Sequence, residues 1–158
     1  MSSFDSSNGF RASTRLATHL QRVLVNLIAL HLNAKQAHWN VVGHNFRDLH
    51  LQLDEIVADA REFSDTVAER MRALGAVPDG RAPTVAATTS LPKFPFGELD
   101  SATVVDLVTE RLRCAVATLR AVHDEVDAED PSTTDLLHTM IDQLEKQAWM
   151  LSAENRGR

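Results

Sequence analysis

Apolar residues recur at helical spacing in four long stretches of the chain, separated by two short breaks and one long irregular segment. Leu16, Leu20, Val23, Leu27, Leu30, His31, Ala34 and His38 trace one face of a helix predicted to run from an N-cap at Ser13 to about Asn40. Val25, Ile28 and Leu32 form a second apolar stripe beside it, so this helix is expected to pack against two partners. The segment NVVGHNF interrupts the pattern at Gly43. A second helix follows from Asn45 or Phe46 to Leu74, with Gly75 placed to close it in the left-handed conformation. Residues 76–99 hold four of the five prolines and keep no period, which predicts a long connection with room for a short helix. Asp100 is placed to cap a third helix through about Ala128, carrying Val104, Leu107, Val108, Leu112, Ala115 and Leu119. Asp130 and Pro131 end it, and a fourth helix from near Ser132 to about Glu154 carries Leu136, Leu137, Met140, Ile141, Leu144, Ala148 and Leu151. The class is all-α: two antiparallel hairpins joined by one long crossover into a four-helix bundle.

Composition narrows the picture without changing it. With 158 residues, 44% of them hydrophobic, and no shift in composition, the chain is expected to form one domain over 13–155, between tails at 1–12 and 156–158. Tyrosine is absent and aromatic residues are few, against an all-β sandwich. The single cysteine, Cys114, allows neither an internal disulfide nor a thiolate cluster, which fits a reducing compartment. The opening MSSFDSSNGFRAS has no apolar run of a secretory signal, and no stretch approaches the length of a membrane span. A cytoplasmic protein with no membrane partner is therefore expected.

The candidate chemistry lies on the second helix. With His50 at zero on a helical wheel, Asp54 falls near 40°, Asp65 near 60° and Glu69 near 100°, while Leu49, Leu53, Ile56, Ala60, Phe63, Val67, Met71 and Leu74 fall between about 220° and 300°. The ionisable stripe therefore points away from the face that enters the chain's own core. The His50/Asp54 and Asp65/Glu69 pairs are centred fifteen residues apart, about 22 Å along the axis, too far for one ion. A second copy packed antiparallel about a twofold axis would bring the first pair of one chain to the second pair of the other. His38 stands at the end of the preceding helix as a further imidazole. Each pair alone is also an ordinary solvated surface pair. Mixed imidazole and carboxylate donors without thiolate suit Fe(II), Mn(II) or Zn(II), and carboxylates favour the harder Fe(III).

The segments KQAHWNVVGHNFRDLHLQLDE at 35–55 and DTVAERMRALG at 65–75, with Lys146 and Trp149 in LEKQAWML, resemble the Dps family (DNA-binding protein from starved cells), small relatives of ferritin. The resemblance covers nearly all of residues 13–154 and implies a ferritin-like four-helix bundle. By it, His38, His50 and Asp54 correspond to one half of an intersubunit ferroxidase centre and Asp65 and Glu69 to the partner's half. It further implies a homododecameric shell built from twofold dimers, iron (Fe2+/Fe3+) bound at a site shared between two subunits, Fe(II) and hydrogen peroxide as substrates, and Fe(III) mineral stored inside. The alternative is a nucleoid- or DNA-binding shell with a secondary metal site. No glutamate in the chain has a histidine three positions later, against a di-iron site held within one subunit's bundle.

Several residues carry two readings. Trp39, next to His38, is either a neighbouring electron donor or an aromatic packed at a subunit interface. Asp130 and Asp135 either line an iron-entry pore, as in relatives, or act as a turn residue and a first-turn carboxylate at the last helix. His31 reads as a hydrogen-bonded core residue, while His19, His44, His123 and His138 lack partners at ligand spacing. Relatives that compact DNA use lysine-rich tails, but residues 1–11 here hold one Asp and one Arg and SAENRGR has two Arg against one Glu. With a net charge of −6, weak or absent DNA binding is expected.

Overall fold

A computed structural model of the chain describes residues 9–157. Helix α1 runs Thr14–Asn40 and α2 runs Phe46–Ala73, and these two pack along each other as the first hairpin. A short helix α3, Ala82–Thr88, sits in the crossover. Helices α4, Ser101–Glu129, and α5, Pro131–Ala153, form the second hairpin, and α1 lies against α4 to close the bundle. Among the described residues no helix is long and apolar enough to cross a membrane.

The caps read from the sequence are the ones that form. The Ser13 side chain accepts from the Leu16 amide and the Asp100 side chain from the Thr103 amide, each satisfying a donor left free in a first helical turn. Gly75 closes α2 at φ +80°, a backbone angle that a Cβ would strain, and the Arg11 guanidinium packs within 2.8 Å of where that Cβ would stand. Of the tail expected at 1–12, residues 1–8 lie outside the described part, as does Arg158 of the tail expected at 156–158. The Ala12 amide donates to the Leu74 carbonyl at 2.9 Å, so the chain is tied down just before α1.

The α2 stripe from Leu49 to Met71 is buried together with Leu20, Leu27 and Leu30 of α1, Leu112 and Leu119 of α4, and Leu137, Met140 and Leu144 of α5. Burial at this scale, about 25 cal/mol per Å² of apolar surface, is what holds the bundle. The second stripe of α1 meets its partner only in part. Val25 is buried and Ile28 half-buried beneath the crossover, but Leu32 is 53% exposed.

One pairing was not legible beforehand. β1, Val41–Val42, and β2, Leu99–Asp100, form a two-residue parallel ladder, Val41 opposite Leu99 and Val42 opposite Asp100. It joins the end of α1 to the start of α4, and the Ser101 hydroxyl adds a bond to the Val42 carbonyl at 3.1 Å.

The crossover is fixed to the bundle by polar side chains. Buried Asn26 of α1 donates to the Ser90 and Thr118 hydroxyls at 2.8 and 2.9 Å, and accepts from the Thr89 hydroxyl and the Ser90 amide at 2.8 and 2.9 Å. Its amide is thereby saturated with four bonds. Nearby, Gln21 exchanges a reciprocal pair of bonds with the Asp79 backbone, and buried Arg111 of α4 donates to the Lys93 carbonyl at 2.9 Å. Replacing Asn26 by alanine leaves buried donors and acceptors without partners. We expect a loss of about 1–3 kcal/mol in denaturant unfolding, with faster hydrogen exchange at the Ser90 amide. Unchanged exchange at Ser90 would show that the crossover is held by other contacts.

Candidate metal centre

His38 lies in the last turn of α1 and His50 in the second turn of α2. The tight link between them, with Gly43 and Asn45 both at positive φ, brings the two rings face to face, with centroids 3.7 Å apart and planes 13° from parallel. Their hydrogen bonds are reciprocal. His38 Nδ1 lies 2.6 Å from the His50 carbonyl oxygen, and His50 Nδ1 lies 2.8 Å from the His38 carbonyl oxygen. A carbonyl only accepts, so each Nδ1 carries a proton, which leaves Nε2 as the nitrogen of each ring able to offer a lone pair. Such a backbone-oriented tautomer is the arrangement in which an imidazole serves as a metal ligand. Phe46 stacks on the outer face of His50 at 5.1 Å, which further restricts its rotation.

Asp54 follows His50 by one turn and is exposed. Lys35, one turn before His38 on α1, donates to its carboxylate at 2.7 Å. That hydrogen bond, ahead of the attraction from Lys35, His38 and His50, holds Asp54 below the usual aspartate range, so it stays an anionic donor. Lys35 was not singled out from the sequence, although its place three residues before His38 puts it on the same side of α1.

Asp65 and Glu69 are both exposed, further along α2. Asp65 borders a shallow cleft of about 490 Å³ with Leu24, Ile28, His31 and Arg61. His31 is thus half-buried at a cleft edge rather than enclosed in the core, and burial, then Arg61 and Lys35, push its pKa down. Among the described residues no three histidine, cysteine or acidic side chains of one chain converge on a point that could hold an ion. Within one chain, then, His38 and His50 meet with Asp54 nearby, while Asp65 and Glu69 form a separate carboxylate pair. The first group offers nitrogen and oxygen donors without sulfur and with free Nε2 lone pairs, a set that fits Fe(II).

Large apolar side chains flank these groups in the open. Trp39 is 66% exposed and Leu51 49%, and Leu32 lies two turns before Trp39 on α1. Asp130 is buried, bonded to Arg70 at 2.8 Å and to the Thr133 hydroxyl, which together hold its pKa down against the opposing effect of burial. Asp135 faces solvent, 3.6 Å from His138. Of the two acids, only Asp135 presents an unmasked carboxylate.

The ferritin-like domain family matches residues 17–156. DNA protection during starvation protein 2 of Deinococcus radiodurans is 38% identical over 134 residues, 85% of this chain and 56% of that protein, so the chain spans little more than half of this relative's length. Among solved structures, the Dps92 of D. radiodurans superposes with a TM-score of 0.87 at 35% identity, covering 91% of this chain and 87% of that one. The Dps of Microbacterium arborescens, in a high-iron form, superposes with a TM-score of 0.85 at 33% identity, covering 92% and 98%.

Exchanging Lys35 for methionine should raise the Asp54 titration midpoint toward the ordinary aspartate value, as followed by carboxyl carbon NMR. The sign follows from linkage: because the folded pKa is depressed, the Lys35–Asp54 attraction is present above the unfolded value and disappears as pH falls through the folded one. For so exposed a pair the stability change should be small. An unmoved midpoint would exclude Lys35 as the cause.

Proposed function

Because this chain belongs to the Dps family of ferritin-like proteins, we propose that it oxidises Fe(II) with hydrogen peroxide and stores the Fe(III) product as mineral in a shell of twelve copies. His38, His50 and Asp54 of one copy bind the iron together with Asp65 and Glu69 of a twofold-related copy. The observation that carries this reading is the reciprocal lock of His38 and His50, which presents two oriented Nε2 donors beside an ionised carboxylate. A solvated surface pair has no use for such preparation.

Iron is the substrate here, and the side chains hold it and tune its redox balance. Two Fe(II) each give up one electron, and the peroxide O–O bond takes both electrons, yielding two hydroxides or, with protons, two waters. The three carboxylates of the set, Asp54, Asp65 and Glu69, favour the more highly charged product, while His38 and His50 supply two nitrogen donors. Lys35 must release Asp54 when iron binds, so it competes with the metal for that carboxylate. The exposed Trp39, Leu32 and Leu51 are covered by the second copy. Trp39 is then near enough to His38 in sequence to supply an electron or to pack at the interface. Asp135 lines the route of iron entry, while Asp130, neutralised by Arg70, shapes the turn from which α5 starts. The protein works in the cytoplasm with access to the nucleoid.

Separate His50→Ala and Glu69→Ala variants should each lose most of the Fe(II) oxidation followed by absorbance. Mixed after subunit exchange in equal amounts, they should regain about a quarter of the centres, because each mixed dimer has one intact site out of two. No recovery, with exchange demonstrated by mass, would rule out a centre shared between chains.

DNA is a poor partner on charge grounds. Twelve copies at −6 each carry a total charge on the order of −70. Arg11, the one basic residue of the front tail, lies against Gly75. A gel shift with linear duplex should show no complex at physiological salt, and a complex that survives a rising salt series would favour the DNA-binding alternative.

A further inference from the structure

A contact made about a twofold axis is used up once two copies have met, so by itself it gives a dimer and nothing larger. The closed shell of twelve, on which this inference rests, therefore needs a second contact of the heterologous kind, in which one patch of a copy receives a different patch of its neighbour. The α4–α5 hairpin and the end of the crossover carry two patches that fit each other.

The first is a groove of about 730 Å³ on the seam between α4 and α5. Its lining comes from those two helices and from Arg156 just beyond them, with nothing from α1 or α2, the helices that carry the proposed metal ligands. Its apolar part includes Val116 and Ala148, both buried, and Trp149, which is 63% exposed. Three guanidiniums border the groove. That of Arg120 is engaged by Glu145 at 2.7 Å, but among the described residues Arg113 and Arg156 form no ion pair. The Asn155 side chain donates to the Ala102 carbonyl at 2.9 Å and to Asp106 at 2.8 Å, which ties the chain to α4 and holds Arg156 beside it.

The second patch is the segment 95–98. Phe96 is 97% exposed, the most exposed large apolar side chain among the described residues. Its neighbours are fixed on both sides: Phe94 lies under the Arg111 guanidinium at 5.1 Å, and Leu99 is held opposite Val41 in the β1–β2 ladder. Phe96 is thus held out in water from an anchored chain. Glu98, also exposed and without an ion pair among the described residues, follows two positions later.

An aromatic groove bordered by unpaired cations and an aromatic knob followed by an unpaired carboxylate match in apolar surface and in sign of charge. We propose that the 95–98 segment of a second copy docks in this groove, with Phe96 against Trp149 and Glu98 facing Arg113 and Arg156. Each copy then gives its knob to one neighbour and its groove to another, so the contact runs around a ring and joins twofold dimers into a shell.

Sedimentation of the whole protein without added iron reads this contact as mass. Wild type should run as the shell. Phe96→Ala and Trp149→Ala should each lower the mass about sixfold, to the dimer that the twofold face still makes. Their helical circular dichroism should stay unchanged, because neither exposed side chain belongs to a copy's own core. Glu98→Arg should also give dimers, and adding Arg113→Glu and Arg156→Glu to the same chain should restore the shell. Shells of wild-type mass in both Phe96→Ala and Trp149→Ala would overturn the contact and leave the shell reading standing, and failure of the charge exchange to restore the shell would likewise overturn it. A wild-type protein that runs as a dimer would instead refute the shell reading, and this contact with it.

Discussion

Four of the five donors proposed for the metal centre are carried on a single helix, α2, whose stiffness sets what the molecule must do with them. Each residue advances the axis by about 1.5 Å, so residues eleven to nineteen positions apart on one straight helix cannot converge on one ion. The helix presents them instead as two separate groups on a face that its own core does not use, since the buried stripe from Leu49 to Met71 occupies the opposite side. The proposed completion by another copy rests on that geometry. The exposed Trp39 and Leu51 on the same side are the residues that such contact would remove from water.

Rigidity also explains how the two histidines are held as an oriented pair. A free imidazole rotates and exchanges its proton between two nitrogens, and both freedoms have to be given up when it binds a metal. Here the hairpin has already taken them away. Each ring donates to the other residue's carbonyl, and Phe46 packs against the outer ring. The helix terminus helps, because the His38 carbonyl belongs to a last turn whose acceptors lack intrahelical partners. A capping problem of the helix and an orientation problem of the ligand are thus solved by the same hydrogen bonds.

Away from that centre the bundle is pinned by buried polar residues that serve architecture. Asn26 holds the crossover, Arg70 and Asp130 hold the α4–α5 turn, and Asp59 accepts from Gln143 and Gln147 to join α2 to α5. Each group is matched, which is the condition for a buried polar contact to stabilise rather than weaken a core. The α4–α5 turn has a second consequence: it sets the register that faces His123 toward His138, their Nε2 atoms 2.8 Å apart, as the α1–α2 turn does for His38 and His50.

The four long helices, their caps at Ser13 and Asp100, the glycine stop at Gly75 and the place of the ionisable stripe on α2, away from the buried face, were all legible in the chain, because each rests on interactions within a few residues: helical periodicity, a side chain reaching a nearby amide, or a backbone angle only glycine adopts freely. The β1–β2 ladder, the four bonds at Asn26, the engagement of Asp54 by Lys35 and the meeting of His123 with His138 were not. They join residues brought close only by the turns between helices, and the register of a hairpin depends on how whole side-chain surfaces interlock, which no local pattern encodes. Asp130 shows the division within one residue: its position before Pro131 marked a turn, but only packing against Arg70 decided that its charge would be buried and neutralised.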